Sequence, residues 1–366
     1  MYGRETKSLK SYKTILSPIR GPNQYKNARG DVILSSPKVS VIITAYNRKE
    51  FLKQAIESVV TQDVDPSVLE IIVVSNFELD SNLISKRIKI SSIVMDGTIG
   101  EFLYAGVKAS RSDLIAFLDD DDIFKPGKLR SVIEIFAENH ELCYYHNAPE
   151  YLNTNLERIN YARLIERKSQ QSFDSKLVVD VRTNMKSIKA AIDFNGDFNL
   201  SCISLRRESY LEYLSLLKQI TSCQDGFFFW ATTLLGARLI IDGRKLTGYR
   251  VHSLNVSGSI NFENKVKEIE KEVHTYNLFL NFIVQLNTQD DLNSYVRNWL
   301  ILYKLEYVLI ANIFEEVPRT TILKRLIELL SIGNEYSNAL KYRITALTLI
   351  RLLNAELSRK IYMKLR

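Results

Sequence analysis

The chain is 366 residues long, with 46% hydrophobic and 25% charged residues, a composition that excludes a disordered or fibrous protein and fits a folded one long enough for two domains. Its formal net charge is +7, but unevenly placed: residues 1–30 and residues 340–366 each hold seven Lys/Arg against one acid, leaving the middle near −5. A nucleic-acid binder carries its positive charge on the folded body, so that class is disfavoured, and two basic ends suit an anionic membrane surface or solvated tails.

The three cysteines, Cys143, Cys202 and Cys223, show no paired metal-type spacing and fit a reducing compartment. Met1–Lys7 has no apolar core of signal-peptide length, and no uncharged apolar run of about 18 residues occurs. The expected location is therefore the cytoplasm, with membrane association limited to its cytoplasmic face.

Residues 1–37 have little periodicity, end in Ser35-Ser36-Pro37 and read as a basic extension, flexible or draped over the body. Val39–Thr44 is a strand, Ala45–Arg48 a polar turn, and Glu50–Thr61 a helix with Phe51, Ala55, Ile56, Val59 and Val60 on one face. Leu69–Val74 is a second buried strand ending in Ser75-Asn76. The resulting strand–helix–strand unit makes a parallel sheet. No G-x-G-x-x-G follows the first strand and no G-x-x-x-x-G-K-[ST] occurs, which argues against dinucleotide-binding and P-loop chemistry.

Ser92–Met95 reads as a third strand, Asp96–Gly100 as a flexible turn and Glu101–Ser110 as a helix. Then comes Leu114-Ile115-Ala116-Phe117-Leu118 followed by Asp119-Asp120-Asp121-Asp122. Five apolar residues fit a strand buried on both faces, with four carboxylates at its C-terminal end, where open α/β sheets place ligands. Four adjacent carboxylates repel one another, and a divalent cation would neutralise them; a solvated acidic turn capping the next helix is the simpler alternative.

Arg130–Asn139 is a helix and Leu142–His146 a strand, whereas 147–198 is polar and poorly periodic. Leu200–Leu205 is a strand candidate. Asp225 stands at the mouth of the very apolar Phe227–Trp230 helix, and Gly248–Gly258, containing Tyr249-Arg250-Val251-His252, reads as an active-site loop. From about residue 260 the pattern is helical to the end. Val266, Ile269, Val273 and Tyr276 form one stripe, and Trp299–Tyr303 and Tyr307–Ile310 form an apolar pair broken by Lys304 and Glu306. The last helix, roughly 339–363, suits either ordinary packing or a membrane surface.

Four features in this order, the VSVIITAYNR opening, the acidic run, Gln224-Asp225 and the Tyr-Arg-x-His loop, resemble a family 2 glycosyltransferase over roughly residues 38–258. The resemblance implies an α/β GT-A fold: a Rossmann-like, mostly parallel sheet flanked by helices. Residues 38–146 would be the nucleotide-binding half, 147–258 the acceptor and catalytic half, and 259–366 an all-helical C-terminal domain. It implies that Thr44, Tyr46 and Asn47 line the base and ribose pocket, with Arg48 toward the phosphates. Ser75 and Asn76 replace the usual aspartate pair, and the amide oxygen of Asn76 can still accept from a base N–H.

The acidic run corresponds to the D-x-D motif. Asp121 would bind Mn²⁺ or Mg²⁺ directly and Asp119 through water, while Asp120 and Asp122 would contact the sugar nucleotide or the metal-bound carboxylates. His252 would touch the metal or diphosphate, and Arg250 would hold a phosphate. Gln224 replaces the family's Glu, leaving Asp225 as the candidate base; capping the following helix is the structural alternative.

The expected activity is inverting, metal-dependent transfer of a sugar from a nucleotide-diphosphate sugar, UDP favoured, to a hydroxyl of a glycan or lipid-linked acceptor. The implied partners are the nucleotide-sugar donor, that acceptor and an anionic membrane surface, with no nucleic acid. A nucleotidylyltransferase would open with a Gly- and Lys-rich loop, which is missing. A catalytically inactive sugar-nucleotide or glycan-binding module on the same fold is the rival of a different class, and turnover distinguishes it.

Overall fold

The computed structural model describes residues 25–26, 32–33, 39–80, 88–160, 176–252, 262–286, 290–333, 336 and 339–365. Of the N-terminal extension only β1 (Tyr25–Lys26) and β2 (Val32–Ile33) fall among these, paired antiparallel to each other; the rest of residues 1–37 lies outside the described residues, as does the 253–258 part of the expected active-site loop.

The main sheet begins with β3 (Val39–Ala45), which leads through α1 (Leu52–Val60) to β4 (Leu69–Ser75). β5 (Lys89–Val94) and α2 (Ile99–Ala109) follow, and β6 (Leu114–Asp119) returns to the other side of β3. These four strands run parallel in the order β5-β4-β3-β6. The chain continues through β7 (Ile123–Phe124), α3 (Lys128–Glu138), β8 (Leu142–Leu152), β9 (Lys176–Asp180), α4 (Ser187–Asp193), β10 (Ile203–Arg206), a short α5 (Leu214–Leu217), α6 (Gln224–Leu234) and β11 (Arg238–Arg250). β10 is antiparallel to β6 and β8, and β11 runs parallel to β8, completing a mostly parallel sheet of nine strands among the described residues. This is the GT-A architecture.

Alternation along the strands explains why both faces are covered. Val41 and Ile43 of β3 and Ala116 and Leu118 of β6 pack with α1 and α3, while Ile42, Ile115 and Phe117 point into the core shared with α2 and α6.

The stretch expected to be a flexible turn at 96–100 instead starts α2. Thr98 accepts from the Glu101 N–H and Glu101 accepts from the Thr98 N–H, a capping box that satisfies two otherwise unpaired donors. Gly100 lies inside the helix for a packing reason: a Cβ there would stand 2.2 Å from the Leu217 carbonyl oxygen and 2.6 Å from that of Ile220. Gly100→Ala is therefore expected to cost about 2 kcal/mol, read as a lowered midpoint in urea unfolding with the slope unchanged.

α6 is apolar on every side because it is buried on every side. Phe228 stacks on Phe117 at 4.7 Å, Phe227 meets Phe279 at 5.2 Å and Trp230 meets Tyr303 at 5.6 Å. The last two partners belong to α7 (Phe262–Leu286) and α8 (Asp291–Phe314), so the C-terminal helices share one core with the sheet. α9 (Arg319–Ser331), α10 (Ala339–Leu353) and α11 (Ala355–Leu365) complete this region. The two apolar stretches around Lys304 and Glu306 lie in the single helix α8, and the expected last helix is two, divided at Asn354, whose side chain accepts from the Leu357 N–H. No described helix is long and apolar enough to cross a membrane.

Candidate active site

The first crossover goes to one side of β3 and the later one to the other, and a crevice opens where the chain changes direction. Thr44 and Asp119 are register neighbours there, with the Thr44 hydroxyl donating to Asp119 Oδ1 at 3.3 Å. Beyond Thr44, the exposed Tyr46 ring meets Phe102 edge-on at 5.9 Å. Asn47, in left-handed backbone at φ 56°, donates its N–H to Asn76 Oδ1 at 2.9 Å and accepts from the Asn76 amide at 2.6 Å. The Asn76 oxygen expected to face a base therefore already serves the turn.

Arg48 reaches across to the acidic run, donating to Asp120 Oδ1 at 2.5 Å and pairing with Asp121 Oδ2 at 2.8 Å. His252 Nε2 lies 3.1 Å from the same Asp121 oxygen. Asp122 accepts the Arg250 N–H at 3.0 Å and the Asn199 amide at 3.3 Å. Burial, then the other three carboxylates, push Asp119 well above the usual range. Burial likewise raises Asp120 and Asp122 to about 7. Asp121 is held low despite burial, because His252 hydrogen-bonds to it and Arg48 stands beside it.

A buried acidic run with three members pushed up is one that a divalent cation would relieve, and carboxylate oxygens with one imidazole suit Mn²⁺ or Mg²⁺. The donor set of Asp119, Asp121 and His252 fits such an ion, although among the described residues no three His, Cys, Asp or Glu side chains already converge as a ready-made cage.

Arg250 is placed differently from the phosphate-facing position expected of it. It belongs to β11 rather than to a loop, is 1% exposed, and turns inward over the Phe51 ring at 4.2 Å. Its guanidinium donates to the Asp121 carbonyl at 2.7 Å, the Thr154 carbonyl at 2.9 Å and Gln54 Oε1 at 2.6 Å. With its backbone N–H on Asp122, Arg250 clamps the acidic run from behind.

Asp225 is the second residue of α6, not its cap; the cap position is Cys223, at φ 59°. Its carboxylate accepts the Gly226 N–H at 2.9 Å and the Asn199 N–H at 2.9 Å. Burial raises it to about 6, those backbone donors work against the shift, and the Asp197 carboxylate adds to it. A base near the working pH is what proton abstraction requires.

Asn199, which falls between the poorly periodic 147–198 stretch and the Leu200–Leu205 strand candidate and which the sequence did not single out, joins the two acidic centres. It sits at φ 64°, a conformation Asn tolerates better than most side chains, with its backbone N–H on Asp225, its side-chain amide on Asp122 and its side-chain oxygen accepting from the Ser201 N–H. Ser201 in turn accepts the Asp119 N–H through its hydroxyl at 3.0 Å. Beneath them Lys128, fully buried, donates to Asn147, the Ser201 carbonyl and Thr247, and burial lowers it to about 8.

Residues 40–214 match the family described as Glycosyl transferase family 2. Over these residues, which run from β3 to the start of α5 and include the acidic run, the chain is similar to glycosyl transferase family 2. Among relatives, an uncharacterized glycosyltransferase of Nostoc sp. is 34% identical over 30% of this chain and 36% of its own. The putative glycosyltransferase EpsH of Bacillus subtilis is 21% identical over 69% of this chain and 78% of its own. The chain thus spans about a third of the first relative's length and over three quarters of the second's. The crystal structure of S. aureus TarS 1-349 in complex with UDP-GlcNAc covers 86% of this chain and 91% of its own, at a TM-score of 0.49 and 13% identity.

Proposed function

We propose that this chain is an inverting, metal-dependent glycosyltransferase that moves a sugar from a nucleotide-diphosphate donor, UDP-linked by preference, to a hydroxyl of a glycan or lipid-linked acceptor. The observation that carries this reading is the joining of two acidic centres by Asn199: the run beside Thr44 and Arg48, and the raised carboxylate of Asp225.

In this reading Asp119, Asp121 and His252 hold Mn²⁺ or Mg²⁺, which when bound neutralises charge on the departing diphosphate. Thr44, Tyr46, Asn47 and Asn76 line the nucleoside side of the crevice, and Asp120 faces the sugar nucleotide. Arg48, half-buried between Asp120 and Asp121, exchanges its carboxylate partners for phosphate oxygens when the donor enters. Asp225 takes the proton of the acceptor hydroxyl, whose oxygen attacks the anomeric carbon from the face opposite the diphosphate. A single displacement inverts the anomer.

Residues 38–258 carry this chemistry, 38–146 for the nucleotide and 147–258 for acceptor and base, and 259–366 form the helical domain behind it. The reading places the protein in the cytoplasm, touching the anionic inner face of a membrane. Leu323, Ile327 and Leu330 form an exposed stripe on α9, Leu349, Leu353 and Leu357 are exposed on α10 and α11, and residues 340–366 carry seven basic side chains against one acid.

The test is nucleoside-diphosphate release from a panel of UDP-, GDP- and TDP-sugars with Mn²⁺, followed through the anomeric signal of the product. Release from one donor, stopped by EDTA, is the expected result; metal-dependent nucleotide binding with no turnover on any donor or acceptor would give the inactive-module reading instead. Independently of turnover, saturating Mn²⁺ at a hundredfold excess over its Kd is expected to stabilise the native chain by about 2.7 kcal/mol, seen as a raised Tm, with the rise lost in Asp121→Ala.

A further inference from the structure

Three aromatic rings meet beside the two acidic centres. Phe198 directly precedes Asn199, whose N–H Asp225 accepts at 2.9 Å, and Tyr249 directly precedes Arg250, whose N–H Asp122 accepts at 3.0 Å. The Tyr249 ring stands 5.9 Å from that of Phe198, tilted at 51°, and meets the Tyr151 ring edge-on at 5.7 Å. None of the three takes part in the transfer step. We propose that Tyr151, Phe198 and Tyr249 form an acceptor subsite for a pyranose ring, so that the hydroxyl offered to Asp225 belongs to a sugar unit. The inference deepens the proposed function and rests on it: Asp225 is the base and the acidic run faces the donor.

Alternation along β11 brings the rings together. Arg250 donates to the Asp121 carbonyl, so Tyr249 lies on the opposite face of the strand, the one from which Thr247 donates to the Ser201 carbonyl at 3.1 Å. Tyr151 of β8 is the register partner of Tyr249. Phe198 reaches the pair because its segment is pinned one residue after another. The Tyr144 hydroxyl donates to the Gly196 carbonyl at 2.6 Å, the Tyr303 hydroxyl to Asp197 Oδ2 at 2.7 Å, and His146 Nε2 to the Phe198 carbonyl at 2.6 Å. A ring on so anchored a backbone is preorganised, and a ligand stacking on it loses little binding to ordering the protein.

Tyr249 is buried between its neighbours, whereas Tyr151 and Phe198 are half-buried and keep part of their surface in solvent. A pyranose carries C–H bonds on its faces and hydroxyls around its rim, which matches rings with a negative π face and a phenol that can hydrogen-bond. A purely alkyl ligand would gain nothing from the phenol groups. The sheet order decides which substrate the rings meet. β3 and β4, whose ends lead to Thr44, Tyr46, Asn47 and Asn76, lie on one side of β6 and its acidic run, and β8 and β11 lie on the other. The rings therefore adjoin the base rather than the nucleoside, and their ligand is the acceptor.

The test is saturation-transfer NMR on the full chain with UDP and Mg²⁺ present, using methyl glucoside, methyl galactoside and methyl N-acetylglucosaminide as probes. At least one is expected to bind, with the strongest transfer to the C–H protons of one ring face. Tyr151→Leu and Phe198→Leu keep apolar bulk without a π face, and each should weaken that binding by about tenfold while UDP affinity holds; Phe198→Tyr should bind as the native chain does.

No binding by any of the pyranosides overturns the proposal, as does binding that both leucine variants leave intact. Weakened UDP binding in those variants at an unchanged Tm would assign the rings to the donor, and a preference for octanol over every pyranoside would assign them to a lipid; either result overturns it too. Binding needs no turnover, so the two readings fail separately. A pyranoside that binds through these rings while no donor is cleaved keeps the subsite and removes the transferase, whereas transfer with an acceptor KM unmoved by the leucine variants keeps the transferase and removes the subsite.

Discussion

Asp225→Asn is expected to lower kcat by about a thousandfold while leaving the donor KM within about twofold. The amide is nearly isosteric and its oxygen can still accept from the Asn199 or Gly226 N–H, so the turn keeps its hydrogen bonds while the proton acceptor is lost. The native pH profile follows from the same carboxylate. With Asp225 raised to about 6, kcat/KM should be fully developed above that pH and fall tenfold per unit below it, because the protonated form cannot take the acceptor's proton. Measuring kcat/KM from about pH 5 to 8 for the native chain checks the sign. A flat profile, or an Asp225→Asn variant of native rate, would move the base elsewhere.

Arg250→Ala should act on stability before it acts on substrate. The side chain is buried, donates through its guanidinium to at least three acceptors among the described residues and covers the Phe51 ring, so its removal takes a donor from each of those acceptors behind the acidic run. The expected cost is about 3 kcal/mol, a fall in Tm of roughly 5–10 °C, with turnover reduced because Asp121 and Asp122 lose their support. Arg250→Lys should recover little, since one ammonium cannot span the three acceptors that the planar fork reaches. A residue whose work is to hold phosphate would show the opposite pattern, a raised donor KM with an unchanged Tm. Thermal denaturation and donor kinetics on the two variants separate these outcomes.

Much of the fold was legible in one dimension because it depends on local patterns. The apolar runs Ile71–Val74 of β4 and Leu114–Leu118 of β6, with Asp119 at the end of the latter, announce strands buried on both faces, and the apolar face of α1 announces its packing side. Element edges were less legible. The capping box at Thr98 and Glu101 moved the start of α2 back into a stretch that its glycines marked as a turn, and Gly100 is there for the carbonyls of Leu217 and Ile220, more than a hundred residues away.

The sequence by itself determined the acidic run at the end of a strongly patterned strand, and its resemblance to a known family pointed to Asp225, His252 and the Thr44–Arg48 turn as the other candidates for chemistry. Only the tertiary structure decided how they are used. Arg250 faces inward because β11 extends to its position, directing the side chain beneath the run rather than out toward the crevice. Asn199 and Asp197 carry no periodic signal, and their meaning comes from Asp225 of α6, Asp122 just beyond β6 and Tyr303 of α8, which adjoin them only once the chain has folded. Periodicity reports which face of an element is buried; a hydrogen bond between distant residues leaves no such period, so the clamp and the hub of this site were visible only in three dimensions.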